Sequence, residues 1–260
     1  MSAVSVTETA TRAEVCAVAC ADAWRGDGEL LASPFGTIPA IGARLARATF
    51  EPELLLTDGE AAYAAGVWPV GEQPRVREGW LPYRAIFELV WRGRRHVMMI
   101  PSQLDRAGNA NISCIGADYA RPKVQLLGVR GAPGNTVSHP TSYWIPRHSP
   151  RVLVERVDMV AGVGPAAAAA AGPAAQRFLD LRRVVTDLAV LDFGGTGGTL
   201  RIVSLHPGVT LEQVKTATGF ELEVDGAEPA TSRLPTGEEL RLIRELIDPR
   251  GLREREVPSA

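Results

Sequence analysis

The spacing of apolar residues predicts three helices in the first half of the chain. Residues 8–24 form an alanine-rich helical stretch that ends near Gly26 and Gly28. The segment GTIPAIGARLARATF, which follows a Gly/Pro-rich turn, and residues 84–92 have apolar side chains at helical intervals. The predicted apolar faces are Ile41, Leu45 and Ala48 in the second helix, with Arg44 and Arg47 pointing away, and Ile86, Phe87, Val90 and Trp91 in the third.

Short apolar runs bounded by Gly, Pro and Asn predict strands between the helices. LLLT at 54–57 lies between Pro52 and Gly59, as expected of a buried strand, and His96–Ile100 precedes the turn GNANIS. Further strands are predicted at 123–129, 151–157, 184–192 and 199–205. This alternation favours an α/β fold, with an open, mostly parallel sheet flanked by helices. No internal repeat or linker is evident, so we expect one domain over 1–260.

Two later helices have capping-box spacings, Thr210 with Gln213 and Thr236 with Glu239. Gly219 is the predicted C-terminal stop of the first of them.

The low-complexity segment 162–176, GVGPAAAAAAGPAAQ, has prolines at both ends of its alanine run. We expect a surface insertion or a short exposed helix there.

Composition narrows the class of protein. A formal charge of −2 and a pI near 6.1 give no indication of a nucleic-acid or membrane-surface partner. No apolar run approaches the ~20 residues that span a bilayer, and no secretory signal precedes the first helix, so we expect a cytoplasmic protein. Three cysteines do not form a disulfide framework. We expect Cys16 and Cys20 to be buried apolar residues, and we predict no metal site.

Two polar, glycine-rich segments are the candidates for chemistry. SQLDRAGNANIS places Asp105, Asn109 and Asn111 on a turn, and LLGVRGAPGN follows an apolar strand. Glycines after a strand allow backbone N–H groups to approach an anion or a developing oxyanion. From these residues alone, a tight turn without a ligand is the favoured interpretation of the same glycines.

Seven motifs occur in an order that resembles one known family. They are GTIPAIGARLAR, LLLTDGE, QLDRAGNAN, IGADY, GVRGAPGN, TGFELEV and IRELIDP. As a set, from about residue 10 to 250, they resemble the β subunit of class I coenzyme A transferases, the glutaconate type especially. The resemblance implies an α/β fold shared by two kinds of subunit and an active site at their interface. It also implies that coenzyme A enters as part of the substrate and that no further cofactor is needed.

The same resemblance implies site residues. In the transferases a glutamate of the β subunit attacks the acyl-CoA thioester, and a glycine loop supplies oxyanion donors. The corresponding donors here are the backbone groups of Gly131 and Ala132. The residues implied to bind the CoA ester or to position the loop are Asn109, Asn111, Gly134 and Asn135.

The chain departs from the family at the nucleophile. Thr57 occupies the place of the glutamate and is followed by Asp58 and Gly59, with Glu60 beyond the turn. A hydroxyl group of ordinary acidity does not form the acyl anhydride of a transferase. Thr57 would instead line the pocket that the glutamate vacates. Asp58 and Glu60 are best interpreted as turn residues, although a contact between Asp58 and the substrate stays open.

A second departure is Arg130, which replaces a small residue in the glycine loop. It could bind a carboxylate or stabilise an enolate, or it could simply pack on the surface.

A β subunit without the glutamate resembles that of a CoA-transferase-like hydrolase of steroid catabolism. That resemblance implies an α2β2 heterotetramer that opens the last carbocyclic ring of a steroid-derived acyl-CoA by retro-Claisen cleavage, with the catalytic carboxylate on the α subunit. The alternatives are a true CoA transferase, a non-catalytic subunit and a stand-alone enzyme.

Overall fold

The computed structural model describes residues 10–58, 62–129, 131–226 and 228–258, without the side chain of Ile86. The helices of these residues are α1 (Arg12–Asp22), α2 (Thr37–Thr49), α3 (Tyr83–Arg92), α4 (Ala132–Ser138), α5 (Pro165–Ala171), α6 (Pro173–Gln176), α7 (Leu211–Thr216), α8 (Gly237–Arg241) and α9 (Arg253–Glu256). A π-helical segment, Leu242–Ile247, continues α8. No helix in the described ranges has the length and apolarity required to cross a bilayer.

The strands are short and fall into four sheets. They are β1 (Leu31–Pro34), β2 (Leu56–Thr57), β3 (Ala62–Ala64), β4 (Arg77–Trp80), β5 (Arg95–Met99), β6 (Gln103–Asp105), β7 (Ala110–Asn111), β8 (Cys114–Ile115), β9 (Val124–Gln125), β10 (Pro140–Ile145), β11 (Leu153–Val154), β12 (Asp180–Thr186), β13 (Ala189–Asp192), β14 (Arg201–Leu205), β15 (Glu223–Val224) and β16 (Ala230–Thr231).

The largest sheet confirms the predicted α/β class. Its strand order is β1-β5-β10-β12-β13-β14-β15, with β16 beside β14. Strands β1, β5, β10 and β12 are mutually parallel, and β13 is antiparallel to both of its neighbours. Alternate residues of each strand face opposite sides of a sheet. Accordingly Met98 and Trp144 belong to the apolar cluster that contains α1 and α2, whereas Val97 and Tyr143 belong to a second cluster.

Three strand predictions were wrong in extent, and in one of them, 151–157, only Leu153–Val154 is a strand. Residues 184–192 are not one strand, because the chain turns at Asp187 and Leu188 and returns antiparallel as β13. The Thr186 hydroxyl oxygen accepts hydrogen bonds from the N–H groups of Leu188 and Ala189 at 3.0 and 2.9 Å, which stabilises this turn. In the segment 123–129 only Val124–Gln125 is a strand, since Gly128 lies in the left-handed region at φ +89°.

Helix α1 packs closely on α2. A Cβ atom on Gly42 would lie 2.9 Å from the Ala21 nitrogen, so this crossing needs glycine. Cys16 and Cys20 are free and buried on α1, as predicted, and burial raises the pKa of both thiols. Such thiols are neutral apolar side chains rather than metal ligands or nucleophiles.

The apolar face predicted for α2 is partly confirmed. Ile41 and Leu45 are fully buried, but Ala48 is exposed near the end of the helix. Arg44 is half-buried rather than fully exposed, because its guanidinium stacks on the Trp68 ring at 4.3 Å.

Both predicted capping boxes are present. Thr210 begins α7 and Thr236 begins α8, each with the reciprocal side-chain bonds. Gly219 does not end α7, which stops at Thr216; it allows the chain to approach β11, where its N–H donates to the Leu153 carbonyl oxygen at 2.9 Å. The low-complexity segment forms α5 and α6, which are largely exposed apart from Ala168.

Candidate functional site

A cavity of about 790 Å³ lies at the carboxyl ends of β1 and β5, beside the first residues of α4. Ligands of open α/β sheets commonly bind at this edge. The described residues that line it are Phe35, Gly36, Met99, Ile100, Ser102, Ile112, Gln125, Leu126, Leu127, Gly131, Ala132 and Asn135. The structure thus brings together three of the residues predicted for the site, Gly131, Ala132 and Asn135.

The lining is mostly apolar, with a few amide, hydroxyl and backbone groups. Of the described lining residues, none is an aspartate, glutamate, histidine or cysteine. Arg130 and Glu60, which were considered from the sequence, lie outside the described residues. The described part of this cavity can therefore enclose an apolar group and donate hydrogen bonds, but it has no side chain that acts as a general base.

The glycine loop is shorter than predicted, because Ala132–Ser138 is helical and Gly131 is its N-cap residue. The Ala132 N–H donates to the Val129 carbonyl oxygen at 3.0 Å. No acceptor among the described residues bonds the Gly131 N–H. Of the two predicted oxyanion donors, the Gly131 N–H is thus the one that the described contacts leave available to a ligand. The role of both stays a prediction.

Thr57 and Asp58 are placed in the hairpin formed by β2 and β3 and do not line the cavity. The Asp58 N–H donates to the Ala62 carbonyl oxygen, and the Asp58 carboxylate accepts from the Ala62 N–H, both at 3.0 Å. The carboxylate also lies 3.6 Å from the Arg77 guanidinium and is almost fully buried. Asp58 therefore closes the hairpin, as a turn residue does.

The two predicted asparagines of the QLDRAGNAN segment hold that segment together. Asn109 donates to the Asp105 carboxylate and accepts from the Gly164 N–H at 2.9 Å. Asn111 is fully buried, and its amide nitrogen donates to the Gln103 side chain and the Cys114 carbonyl oxygen at 2.8 and 2.7 Å. Neither side chain lines the described part of the cavity, and a contact of either with the CoA ester stays a prediction.

Gly134 has a packing function that the sequence did not reveal. A Cβ atom at this position would lie 2.4 Å from Cγ1 of Val90. Glycine therefore allows α3 to lie against α4, and Gly134 is not part of the cavity wall.

Beneath the cavity floor lies Arg95, a residue that the sequence analysis missed. Its Nη2 group donates to Oδ1 of Asn135, and the Asn135 amide nitrogen donates to Sδ of Met99 at 3.5 Å. Arg95 is buried, which lowers its pKa.

His139 is buried behind α4, where burial and the charge of Arg95 lower its pKa to about 4, so it is neutral near pH 7.

Glu256 is a second residue without a local signal in the sequence. Its Oε2 accepts from the N–H groups of Thr37 and Ile38 at 2.6 and 3.1 Å, and its Oε1 accepts from Trp144 Nε1 at 2.5 Å. It thereby caps α2 from the C-terminal end of the chain. Gly36 separates this carboxylate from the cavity, since a Cβ on Gly36 would lie 2.8 Å from Oε1.

Helix α3 presents an unusual apolar stripe to solvent. Tyr83, Phe87 and Trp91 are four residues apart, and the side chain of Trp91 is 83% exposed. The predicted helix is confirmed, but Phe87 and Trp91 do not pack into the core of this chain. Exposed aromatic patches of this kind mark interaction surfaces.

Comparison with known proteins agrees with these features. No protein-family model matches the chain. The chain is 53% identical over 253 residues to the cholesterol ring-cleaving hydrolase IpdB subunit of Rhodococcus jostii, covering 97% of this chain and 98% of that one. It is 31% identical over 222 residues to a 3-oxoadipate CoA-transferase subunit of Pseudomonas knackmussii, covering 80% and 83% of the two chains.

Among solved structures, the crystal structure of Rhodococcus jostii IpdAB matches with a TM-score of 0.90 and 53% identity, over 96% of this chain and 99% of that one. The sequence and the fold lead to one assignment. The chain belongs to the IpdB subunit family, within the wider group of CoA-transferase β subunits.

Proposed function

We propose that this chain is the β subunit of a heteromeric hydrolase that opens the last carbocyclic ring of a cholesterol-derived acyl-CoA. The observation that carries the proposal is the composition of the cavity. It is apolar enough for a polycyclic remnant and supplies hydrogen-bond donors, yet its described lining includes no acid. In this proposal the partner subunit brings the general base.

The reaction is a hydrolytic retro-Claisen cleavage. A water oxygen bonds to the carbon of a ring ketone, and its proton passes to the base. The bond between that carbon and the carbon α to the thioester then breaks, and its electron pair forms the thioester enolate. The enolate carbon takes a proton, so the products are a new carboxylate and an open-chain acyl-CoA. The addition of water needs a base, which can return the proton to the enolate carbon, and the adduct and the enolate need oxyanion donors; no step needs an acyl anhydride on this chain.

The described residues supply the oxyanion side of this chemistry. The Gly131 N–H and the Asn135 amide line the cavity and can donate to the thioester oxygen or to the adduct at the ring ketone. Asn109 and Asn111 act indirectly, by holding the segment that contains Ser102 and Ile112.

Assembly and location complete the proposal. Helix α3 packs through Val90 against Gly134 of α4 and exposes the stripe of Tyr83, Phe87 and Trp91 to solvent, so an α subunit docked on the stripe would lie beside the site. An α2β2 heterotetramer has two such sites. Acyl-CoA thioesters are intracellular metabolites, and we therefore place the enzyme in the cytoplasm.

Co-expression with the α subunit encoded beside it tests the proposal. Purified complex and separate chains are supplied with a cyclic β-keto acyl-CoA, and products are followed by mass. We expect ring hydrolysis, a gain of one water, by the complex alone. Transfer of CoA to an added carboxylic acid would instead identify a CoA transferase, and ring opening by the isolated chain would refute the two-subunit site.

A further inference from the structure

Arg95 is a buried cation without a counter-ion among the described residues. It is 6% exposed, and its Nε has no hydrogen-bond partner there. Its one side-chain hydrogen bond to the described residues goes to a neutral amide, Asn135 Oδ1, and no described carboxylate pairs with it. A buried, unpaired charge costs several kcal/mol in general. Arg95 therefore destabilises the fold, and a compensating role has to be sought in its surroundings.

The bond from Arg95 determines which way the Asn135 amide faces. Oδ1 is held by the guanidinium, so the NH2 group is left as a donor. Its partner is the Met99 sulfur at 3.5 Å, and a thioether is a weak acceptor. Asn135 and Met99 both line the cavity. The amide thus presents a poorly satisfied N–H to the ligand.

We propose that Arg95 is a positioning residue that makes Asn135 an oxyanion donor for the enolate of a β-keto acyl-CoA. The inference rests on the proposed function and assigns a role to a further residue of the same site. Arg95 acts in two ways, by fixing the amide with its nitrogen toward the cavity and by placing a positive charge beneath it.

The surroundings preserve that charge. A Cβ atom on Gly131 would lie 3.9 Å from Arg95 Nη2, so the guanidinium lies directly behind the backbone of the cavity wall. Neighbouring His139 is neutral and contributes no competing charge. In a site of low dielectric constant, a fixed positive charge favours the enolate over the neutral thioester more strongly than it would in water.

The experiment measures enolate formation directly in the complete heteromer. Acetoacetyl-CoA is the probe, because loss of its α-proton gives an enolate with a distinct near-ultraviolet absorption. The pH at which half of the bound probe is ionised is recorded for wild type, Arg95→Met, Asn135→Ala and Asn135→Asp. Ring opening of the cyclic β-keto acyl-CoA and the thermal midpoint are measured on the same samples.

The matched control is Arg44→Met. Arg44 is a half-buried arginine, likewise without a carboxylate partner among the described residues, but it bonds the carbonyl oxygens of Trp68 and Ala40, away from the cavity. Its loss should lower the thermal midpoint and leave the enolisation midpoint unchanged.

For Arg95→Met and Asn135→Ala we expect the enolisation midpoint to rise by about one pH unit or more. We expect kcat/KM for ring opening to fall about 10²-fold, mainly in kcat. Arg95→Met should fold with an unchanged or higher thermal midpoint, since it removes an unpaired buried charge. Asn135→Asp should be stable as well, because it supplies the missing counter-ion, and it should lose enolate binding.

An unchanged enolisation midpoint in Arg95→Met would overturn the inference, as would a wild-type heteromer that ionises the probe no better than solvent does. If the wild-type heteromer forms the enolate but opens no ring, the proposed function fails. The shift between wild type and Arg95→Met then still decides the role of Arg95.

Discussion

Glu256 Oε2 accepts a hydrogen bond from the Thr37 N–H at 2.6 Å and thereby joins α9 to the first turn of α2. The carboxylate lies at the first turn of α2, where the helix dipole and free N–H groups favour an anion. Since Gly36 lies between this cap and the cavity, the C-terminal helix fixes one wall of the site.

Glu256→Ala should lower the free energy of unfolding by about 2–3 kcal/mol, because it leaves the Thr37 and Ile38 N–H groups and the Trp144 indole without their acceptor. Urea unfolding of the heteromer measures this loss. Glu212→Ala, an exposed change in the first turn of α7, is the control and should cost about 0.5 kcal/mol or less. Equal losses in the two variants would contradict the capping role.

His148 and His206 are two of the buried histidines whose lowered pKa should make the protein acid-sensitive, and His139 is another. His148 bonds the hydroxyl groups of Thr186 and Thr218, His206 bonds the Thr186 carbonyl oxygen, and burial lowers the pKa of each from 6.5 to about 4. The unfolded state takes up these protons first as the pH falls. The free energy of unfolding should therefore decrease as the pH falls from about 6.5 to about 4. Below about pH 4 both states bind these protons, and the histidines no longer contribute to the pH dependence.

Urea unfolding at a series of pH values measures that slope. His148→Gln cannot titrate, and it should flatten the dependence between pH 6.5 and 4. An equally steep profile in this variant would show that the acid sensitivity arises elsewhere.

The exposed stripe of α3 should be the contact with the α subunit. Phe87→Arg or Trp91→Arg should weaken assembly at least ~10-fold, because a buried aromatic anchor is replaced by a charge. Both side chains are exposed in this chain, so the variants should fold. Co-purification and analytical ultracentrifugation measure the effect.

The control for the stripe is Phe178→Arg. Phe178 is also exposed, but it lies beyond α6 and outside α3. Assembly should persist in that variant. If Trp91→Arg assembles as well as Phe178→Arg, the partner binds elsewhere.

Asp58→Asn should retain turnover by the heteromer. The amide oxygen still accepts from the Ala62 N–H, and the change removes the ion pair with the largely exposed Arg77. We expect kcat/KM within about threefold of wild type. Steady-state kinetics measure it, and a loss as large as that of Asn135→Ala would indicate that Asp58 reaches the substrate.

Local rules and family resemblance predicted different parts of the structure. The Thr210 and Thr236 caps follow from residues three apart, and they are present. The α/β class followed from the alternation of predicted strands and helices, and the cavity residues Gly131, Ala132 and Asn135 followed from the resemblance. The turn at Asp187 was missed because the apolar run 184–192 continues through it, and only a bond from the Thr186 side chain marks the reversal.

Arg95 and Glu256 could not be found in this way. Arg95 bonds a residue 40 positions away, and Glu256 bonds one 219 positions away. No local spacing encodes such contacts, because they form only when the sheet brings distant segments together. Phe87 and Trp91 illustrate a different limit, since an apolar helix face looks the same in sequence whether its own core or a partner covers it.

Whether a carboxylate of this chain forms a covalent acyl intermediate is tested most directly by one single-turnover experiment in water enriched in oxygen-18. The heteromer is mixed with limiting cyclic β-keto acyl-CoA, and the product and the peptides of this chain are analysed by mass. Direct attack by water places the label in the new product carboxylate and leaves the peptide with Asp58 and Glu60 unlabelled. Oxygen-18 in that peptide would show a covalent acyl intermediate on this chain and would contradict the account.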